Sequence, residues 1–188
     1  MTQTIVYLLR HAQSLPDQEV AEPEWPLSDT GVEQALALVE PLNKLEIDRI
    51  FTSPFRRAIA TISPYCSGND LAFEINEDLR ERKLKEQSML DDWQDLIERA
   101  WDDFDYALLN CESGYSCQNR ISNCISSLVT THPGDTLLIS SHGNAISLYL
   151  NKLDSAFGYA GWQSMKNPDL FRIVFTGDLA SWDKAFSI

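Results

Sequence analysis

Three apolar runs of strand length constrain this chain most: residues 5–9 (IVYLL), 48–53 (DRIFTS) and 136–141 (TLLISS). Each is apolar at consecutive rather than alternate positions, which fits strands covered on both faces, as in a largely parallel sheet. Shorter strands are predicted at 73–75 and 171–175 (FRIVF). Between them, residues 28–42 (SDTGVEQALALVEPL) predict a helix starting at Ser28 or Thr30, with Thr30 and Glu33 at capping-box spacing. Residues 53–65 (SPFRRAIATISPY) predict a second helix directly after the second strand. A third is expected over 113–131, where Cys117, Ile121, Cys124, Ile125 and Leu128 recur at helical spacing before the turn HPGD. Such alternation predicts a three-layer α/β/α sandwich with a mostly parallel central sheet.

Residues 91–105 place Trp93, Leu96, Ile97, Ala100, Trp101 and Phe104 on one helical face, with seven acids and one arginine elsewhere. Such a helix either docks on the core with its charged face in water or forms a lid over an active site. Residues 83–110 are therefore expected to form a small helical insertion, a lid or pocket wall, within one domain spanning 1–188. A chain of 188 residues with 44% apolar content is long enough to bury one core of that kind.

With 15 basic and 28 acidic residues the net charge is -13, so the long-range field repels nucleic acid and anionic membranes. A small phosphorylated metabolite is not excluded, because salt confines that field to roughly 8 Å and a few converging arginines dominate inside a pocket. No apolar run reaches the length of a membrane helix, and the N-terminus has no basic region before its apolar stretch, so a cytoplasmic location is expected. Cys66, Cys111, Cys117 and Cys124 form no CxxC pair and no regular secreted framework, so reduced thiols are expected.

Reactive groups collect where strands of such folds end and helices begin. Here the first strand ends in Arg10 and His11, the second is followed by Arg56 and Arg57, and the third by His142. Two histidines and two arginines are thereby predicted at one sheet edge, while His132, in the loop THPGD, is expected at the surface. The planar guanidinium grips phosphate or carboxylate oxygens in pairs and stays charged, so phosphate is the natural ligand. No metal or cofactor is expected: the histidines lack a carboxylate partner in a ligand motif, and neighbouring arginines repel a cation. A G-x-S-x-G elbow for Ser-His-Asp hydrolysis is missing too.

Taken together, these residues resemble the histidine phosphatase (phosphoglycerate mutase-like) superfamily over most of the chain. The likeness rests on six ordered segments: L-R-H-A-Q-S at 9–14, L-S-x-x-G-x-x-Q-A at 27–35, S-P-F-R-R-A-x-x-T at 53–61, the L-R-E run ending at Glu81, Glu112 and Ser113 followed by Arg120 and Ile121, and S-H-G at 141–143.

The resemblance implies in-line attack by His11 on phosphorus, giving a phosphohistidine that water hydrolyses. His11 must then be neutral at its attacking nitrogen, with the other donating to a backbone carbonyl. Arg10, Arg57 and a protonated His142 are implied to neutralise the phosphoryl oxygens. Arg57 rather than Arg56 is selected because it immediately precedes alanine. Glu81 is implied as the acid that protonates the leaving group, with Glu77 or Asp78 as alternatives, and Gln13 and Ser14 as further phosphate contacts.

Some positions depart from the family pattern. Ala12 replaces the commonest glycine, Asp17 a frequent asparagine and Ser147 a frequent arginine. The reading that follows is a metal-independent phosphatase acting on a small phosphomonoester. Its alternatives are a phosphoglycerate mutase-type phosphotransferase and a non-catalytic phospho-ligand-binding protein.

Overall fold

A computed structural model describes residues 2–17, 19–85 and 93–186. Consecutive apolar residues in the predicted strands are divided between two faces. Along β1 (Gln3–Arg10), Val6 and Leu8 enter one core while Tyr7 and Leu9 enter the other. In β4 (Thr136–Ser141), Leu137 and Ile139 are separated from Leu138 in the same way. The first core is closed by α5 (Gly114–Thr131) and α6 (Gly143–Leu153) through Ile121, Ile125, Ile146 and Leu150. The second is closed by α1 (Asp29–Ala37), α2 (Val39–Asn43) and α3 (Arg56–Gly68), with Leu38, Leu42, Ile62 and Tyr65 facing the sheet. Burying an aliphatic side chain fully contributes about 1.5–3 kcal/mol, and both faces of the sheet gain it.

The expected α/β sandwich is thus present, with six strands in the order β3-β2-β4-β1-β5-β6 among the described residues. β2 (Arg49–Thr52), β3 (Glu74–Ile75), β4 and β1 are mutually parallel, whereas β5 (Asp169–Thr176) runs antiparallel to β1. β6 (Leu179–Asp183) was not legible as a strand, since this edge strand has no fully buried residue and shows no apolar run.

Several local expectations need correction. The first helix is capped by Ser28, whose side chain accepts from the Gly31 N–H at 3.0 Å, so Thr30 and Glu33 do not form the capping box. The predicted helix also divides at Leu38 into α1 and α2. His132 is half-buried, its ring centroid 5.6 Å from that of Phe51, rather than fully at the surface.

In α4 (Trp93–Asp102), Leu96, Ile97, Ala100 and Trp101 pack with Leu84, Cys117, Ala145 and Leu148, while Phe104 lies against that cluster. Among the described residues this is the docked arrangement, with its aromatic rings turned to the core. Asp91 and the Trp93 side chain lie outside the described residues, as do positions 86–92 of the expected insertion. No described helix is long and apolar enough to cross a membrane.

Candidate active site

β2, β4 and β1 lie side by side, with Thr52 in register with Ser140 and Arg10 with Ser141. The next residues extend these ladders: the His11 N–H donates to Ser141 O at 3.1 Å and the Ser53 N–H to Ser140 O at 2.9 Å. His11, Ser53 and His142 therefore leave the sheet at one edge, where parallel strands end and α6 begins.

His11 is 7% exposed. Its Nδ1 lies 2.7 Å from Ala12 O, the backbone carbonyl partner anticipated from the sequence. A carbonyl only accepts, so Nδ1 carries the proton and Nε2 keeps its lone pair. That lone pair accepts from Arg57 Nε–H at 3.2 Å. Burial lowers the imidazole pKa to about 3, with the Arg57 and Arg10 charges acting in the same direction and the Ala12 bond opposing them. At neutral pH the ring is uncharged.

Arg57 is buried; besides His11, its Nη1 donates to Glu22 O at 2.8 Å and its Nη2 to Glu22 Oε1 at 2.7 Å. The guanidinium carbon stands 4.9 Å from the Phe55 ring centroid and 5.7 Å from that of Trp25. Arg56, its neighbour, is exposed, as expected. Arg10 donates from Nη1 to Met165 O at 2.9 Å, while its Nε is buried without a hydrogen-bond partner among the described residues. A Cβ on Gly143 would fall 3.2 Å from the Arg10 guanidinium carbon, so glycine lets that group pack on the first turn of α6.

His142 is fully buried, with Nε2 2.7 Å from Ser53 Oγ and its ring centroid 5.2 Å from that of His11. Ser53 Oγ also accepts from the Phe55 N–H at 3.2 Å. The His142 Nδ1 is buried with no hydrogen-bond partner among the described residues. Burial foremost, then the charge of Arg57, holds this imidazole far below its ordinary pKa. Desolvation and the nearby arginines both oppose a charge on this ring, so it is neutral at pH 7, whereas the resemblance implies a protonated His142 against the phosphoryl oxygens.

Glu81 lies across from these groups. Its Oε1 accepts from the Arg82 and Ala145 N–H groups at 2.8 and 3.0 Å, and its Oε2 from the Asn144 N–H at 3.1 Å. The turn that carries it is anchored by the fully buried Leu79, whose carbonyl accepts from Ser141 Oγ at 2.7 Å. Arg120 grips Glu112 with two bonds of 2.8 and 2.6 Å and reaches Asp78 O and Arg80 O at 2.7 and 3.0 Å. Glu77 and Asp78, the alternative acids, are exposed and do not line the cleft.

These groups border a cleft of about 440 Å³. Gln13 and Ser14 line it, and the Gln13 carbonyl lies where a Cβ on Gly31 would come within 2.0 Å, so only glycine allows α1 to dock there. Glu22, Trp25, Leu84, Lys85 and Trp162 supply the wall. His142 does not line the cleft, and sits behind His11. Among the described residues no group of three or more His, Cys, Asp or Glu side chains could hold a metal ion. The converging guanidinium and imidazole groups instead suit an anion.

The family profile of the histidine phosphatase superfamily (branch 1) matches residues 6–184. The chain belongs to that superfamily. Among individual relatives, a 2,3-bisphosphoglycerate-dependent phosphoglycerate mutase of Chlamydia trachomatis is 41% identical over 61 residues, which is 31% of this chain but only 27% of that protein. A mycobacterial glucosyl-3-phosphoglycerate phosphatase, also solved with inorganic phosphate, aligns over 96% of this chain and 97% of its own, at 20% identity and a TM-score of 0.80. A Bacillus anthracis phosphoglycerate mutase gives 20% identity and a TM-score of 0.79, over 97% and 92% of the two chains. At such identities the structural likeness is one of fold.

Within this member of the superfamily, the three departures from the family pattern have structural consequences. Ala12 is fully buried, with its N–H donating to Thr61 Oγ1 at 2.9 Å. Asp17 is exposed, and its carbonyl accepts from Trp25 Nε1 at 2.8 Å. Ser147 donates to Asn144 O at 3.0 Å, supporting a residue that contacts Glu81.

Sequence reasoning missed Ser53 and Asn144 as partners of His142 and Glu81, although both lie within or beside quoted motifs. It also missed Glu22, Trp25 and Trp162, whose segments show no periodicity pointing to the cleft, whereas Leu84 and Lys85 fall in the 83–110 segment expected to form a lid or pocket wall.

Proposed function

We propose that this protein is a phosphatase that hydrolyses a small phosphomonoester through a phosphohistidine on His11. The supporting observation is the fixed tautomer. The Ala12 carbonyl holds the proton on Nδ1, leaving an unprotonated Nε2 beside Arg57 on the cleft floor.

In this scheme the phosphorus approaches Nε2 and displaces the Arg57 Nε–H bond. The P–N bond forms as the P–O ester bond breaks, and Glu81 gives its proton to the departing alkoxide. Water then attacks the phosphohistidine, Glu81 takes the water proton, and the P–N bond breaks to release phosphate and neutral His11. Arg10 and Arg57 stabilise charge on the transferred oxygens, His142 adds its charge from beside the His11 ring, and Gln13 and Ser14 contact the phosphoryl group from the rim. The substrate dianion favours proton uptake by His142, offsetting the desolvation that holds the ring neutral.

The 83–110 segment is read as a pocket wall, since Leu84 and Lys85 line the cleft while α4 is packed on α5 and α6. Buried free thiols at Cys66, Cys117 and Cys124 support a reducing, cytoplasmic setting.

Acid-quench trapping with a labelled phosphate donor tests the scheme. Wild type should give an acid-labile, base-stable phosphoprotein that His11→Ala does not form. Equal turnover in both proteins without phosphohistidine would instead favour a non-catalytic phospho-ligand-binding role. A metabolite panel run with and without a chelator should show activity that survives chelation.

The segment shared with bisphosphoglycerate-dependent mutases favours one second reading, phosphoryl transfer between positions of a sugar acid. Incubation with 2- and 3-phosphoglycerate separates the two, because interconversion without free phosphate would replace hydrolysis with transfer.

A further inference from the structure

Glu22 has no part in the proposed chemistry, yet it occupies the arginine on which that chemistry depends. It belongs to the short 3₁₀ turn Glu22–Glu24, and it engages Arg57 through both its carbonyl and its carboxylate, at 2.8 and 2.7 Å. The third nitrogen of the same guanidinium faces His11 Nε2 at 3.2 Å. Every nitrogen of Arg57 is therefore engaged within the protein. A phosphoryl oxygen can take the Nη2 position only where the Glu22 carboxylate has left it.

The exposures of the two partners are unequal. The Arg57 side chain is 4% exposed, whereas that of Glu22 is 36% exposed. A guanidinium so deeply buried is costly without a counter-charge. The half-exposed carboxylate supplies that charge and has water into which it can withdraw. Burial pushes the Glu22 carboxyl above its ordinary pKa, and Glu81 adds to this, while Arg57 and Lys85 act the other way. Glu22 is thus held by one strong partner within a mixed field.

We propose that Glu22 is an internal stand-in for phosphate, displaced from Arg57 when a phosphoryl group binds and then left at the cleft wall as a fixed negative charge. Two consequences follow, both resting on the phosphatase reading of this cleft. Inorganic phosphate is held less tightly than Arg10 and the buried Arg57 would otherwise allow, which speeds product release. The displaced carboxylate also repels a substrate carboxylate near the phosphate, so the favoured class is phosphomonoesters of neutral or amine-bearing alcohols rather than of carboxylic acids.

Two variants test this. Glu22→Gln keeps an oxygen able to accept from Arg57 but removes the charge, and Glu22→Ala removes both. Binding of inorganic phosphate is measured by titration calorimetry, and kcat/KM is compared for glycerol 3-phosphate and 3-phosphoglycerate. Thermal melts establish that the variants are folded.

Both variants should bind phosphate about tenfold more tightly than wild type, the scale of one partly screened charge at contact distance. The preference for glycerol 3-phosphate over 3-phosphoglycerate should fall by a similar factor. Unchanged or weaker phosphate binding in folded Glu22→Gln, with the ester preference intact, overturns the stand-in role while leaving the phosphatase reading in place. A wild type that neither binds phosphate nor cleaves any ester overturns both.

Discussion

The floor of the cleft takes Arg10 and His11 from the end of β1, with the buried Ser53 and His142 beside them at the ends of β2 and β4, whereas its wall takes Glu22, Lys85 and Trp162 from three separate segments. On the floor, His11 and Ser53 extend the sheet ladder, and the Ala12 carbonyl sets the His11 tautomer. On the wall, the best-defined contact is an ion pair with one half-exposed partner, Glu22 to Arg57. The floor is thereby suited to a fixed geometry of bond making. The wall is suited to exchange of partners.

Removing the charge that joins the two regions should have the largest effect. Arg57→Ala deletes a donor beside the attacking nitrogen and should lower kcat by about 10²–10³-fold, the usual loss for one such donor. Far-ultraviolet circular dichroism should remain that of wild type. A loss mainly in KM would mean that Arg57 serves ground-state binding, making it more wall than floor.

Leu79→Ala strikes the floor from beneath, by opening a cavity under the turn that carries Glu81. Stability should drop by about 2–5 kcal/mol in urea unfolding, and kcat should fall with it as Glu81 loses its placement. Full retention of kcat in a destabilised variant would break the link between that core position and the acid.

The buried neutral histidines make floor stability pH-dependent. The folded His11 pKa is lowered to about 3 from its ordinary 6.5, so the unfolded chain binds the proton first as pH falls. The stability contributed by the neutral ring is complete above pH ~6.5 and is lost progressively toward pH ~3, the sign required when the unfolded state holds more protons. Between pH 7 and 5.5 the loss for this histidine alone is about 1 kcal/mol. His142 shifts in the same direction. His11→Gln should lose correspondingly less stability over that interval, and equal losses would place the charge sensitivity elsewhere.

Ser53→Ala should have the smallest effect. It removes the hydrogen bond that orients His142 Nε2, worth about 1 kcal/mol net, and should lower kcat about tenfold without changing the His11→Ala null phenotype. An unchanged kcat would make Ser53 a packing residue only.

The same division explains what could be read from the sequence. Arg10, His11, Arg57 and His142 were visible because consecutive apolar runs announce buried parallel strands, and strand ends announce where their successors converge. The charge state of His142 was not visible, since protonation depends on burial and on Arg57, which lies far away in sequence. Glu22 and Trp162 were hidden for a related reason. Their positions come from a short turn and from the six-residue α7 (Tyr159–Ser164), neither of which carries an amphipathic period. Of the two helix starts that the sequence offered, Ser28 is the cap; Gly31 lies against the Gln13 carbonyl, a contact between segments that spacing alone does not reveal.

The first turn of α6 is where otherwise separate parts of the site are joined. Gly143 lies beneath the Arg10 guanidinium, Asn144 and Ala145 hold Glu81, and His142 caps the helix. No member of this set can lose its place without loosening the same turn. On heating, the arginine, acid and histidine should therefore become disordered together, so that competence disappears in one cooperative step with the undocking of α6 rather than eroding residue by residue.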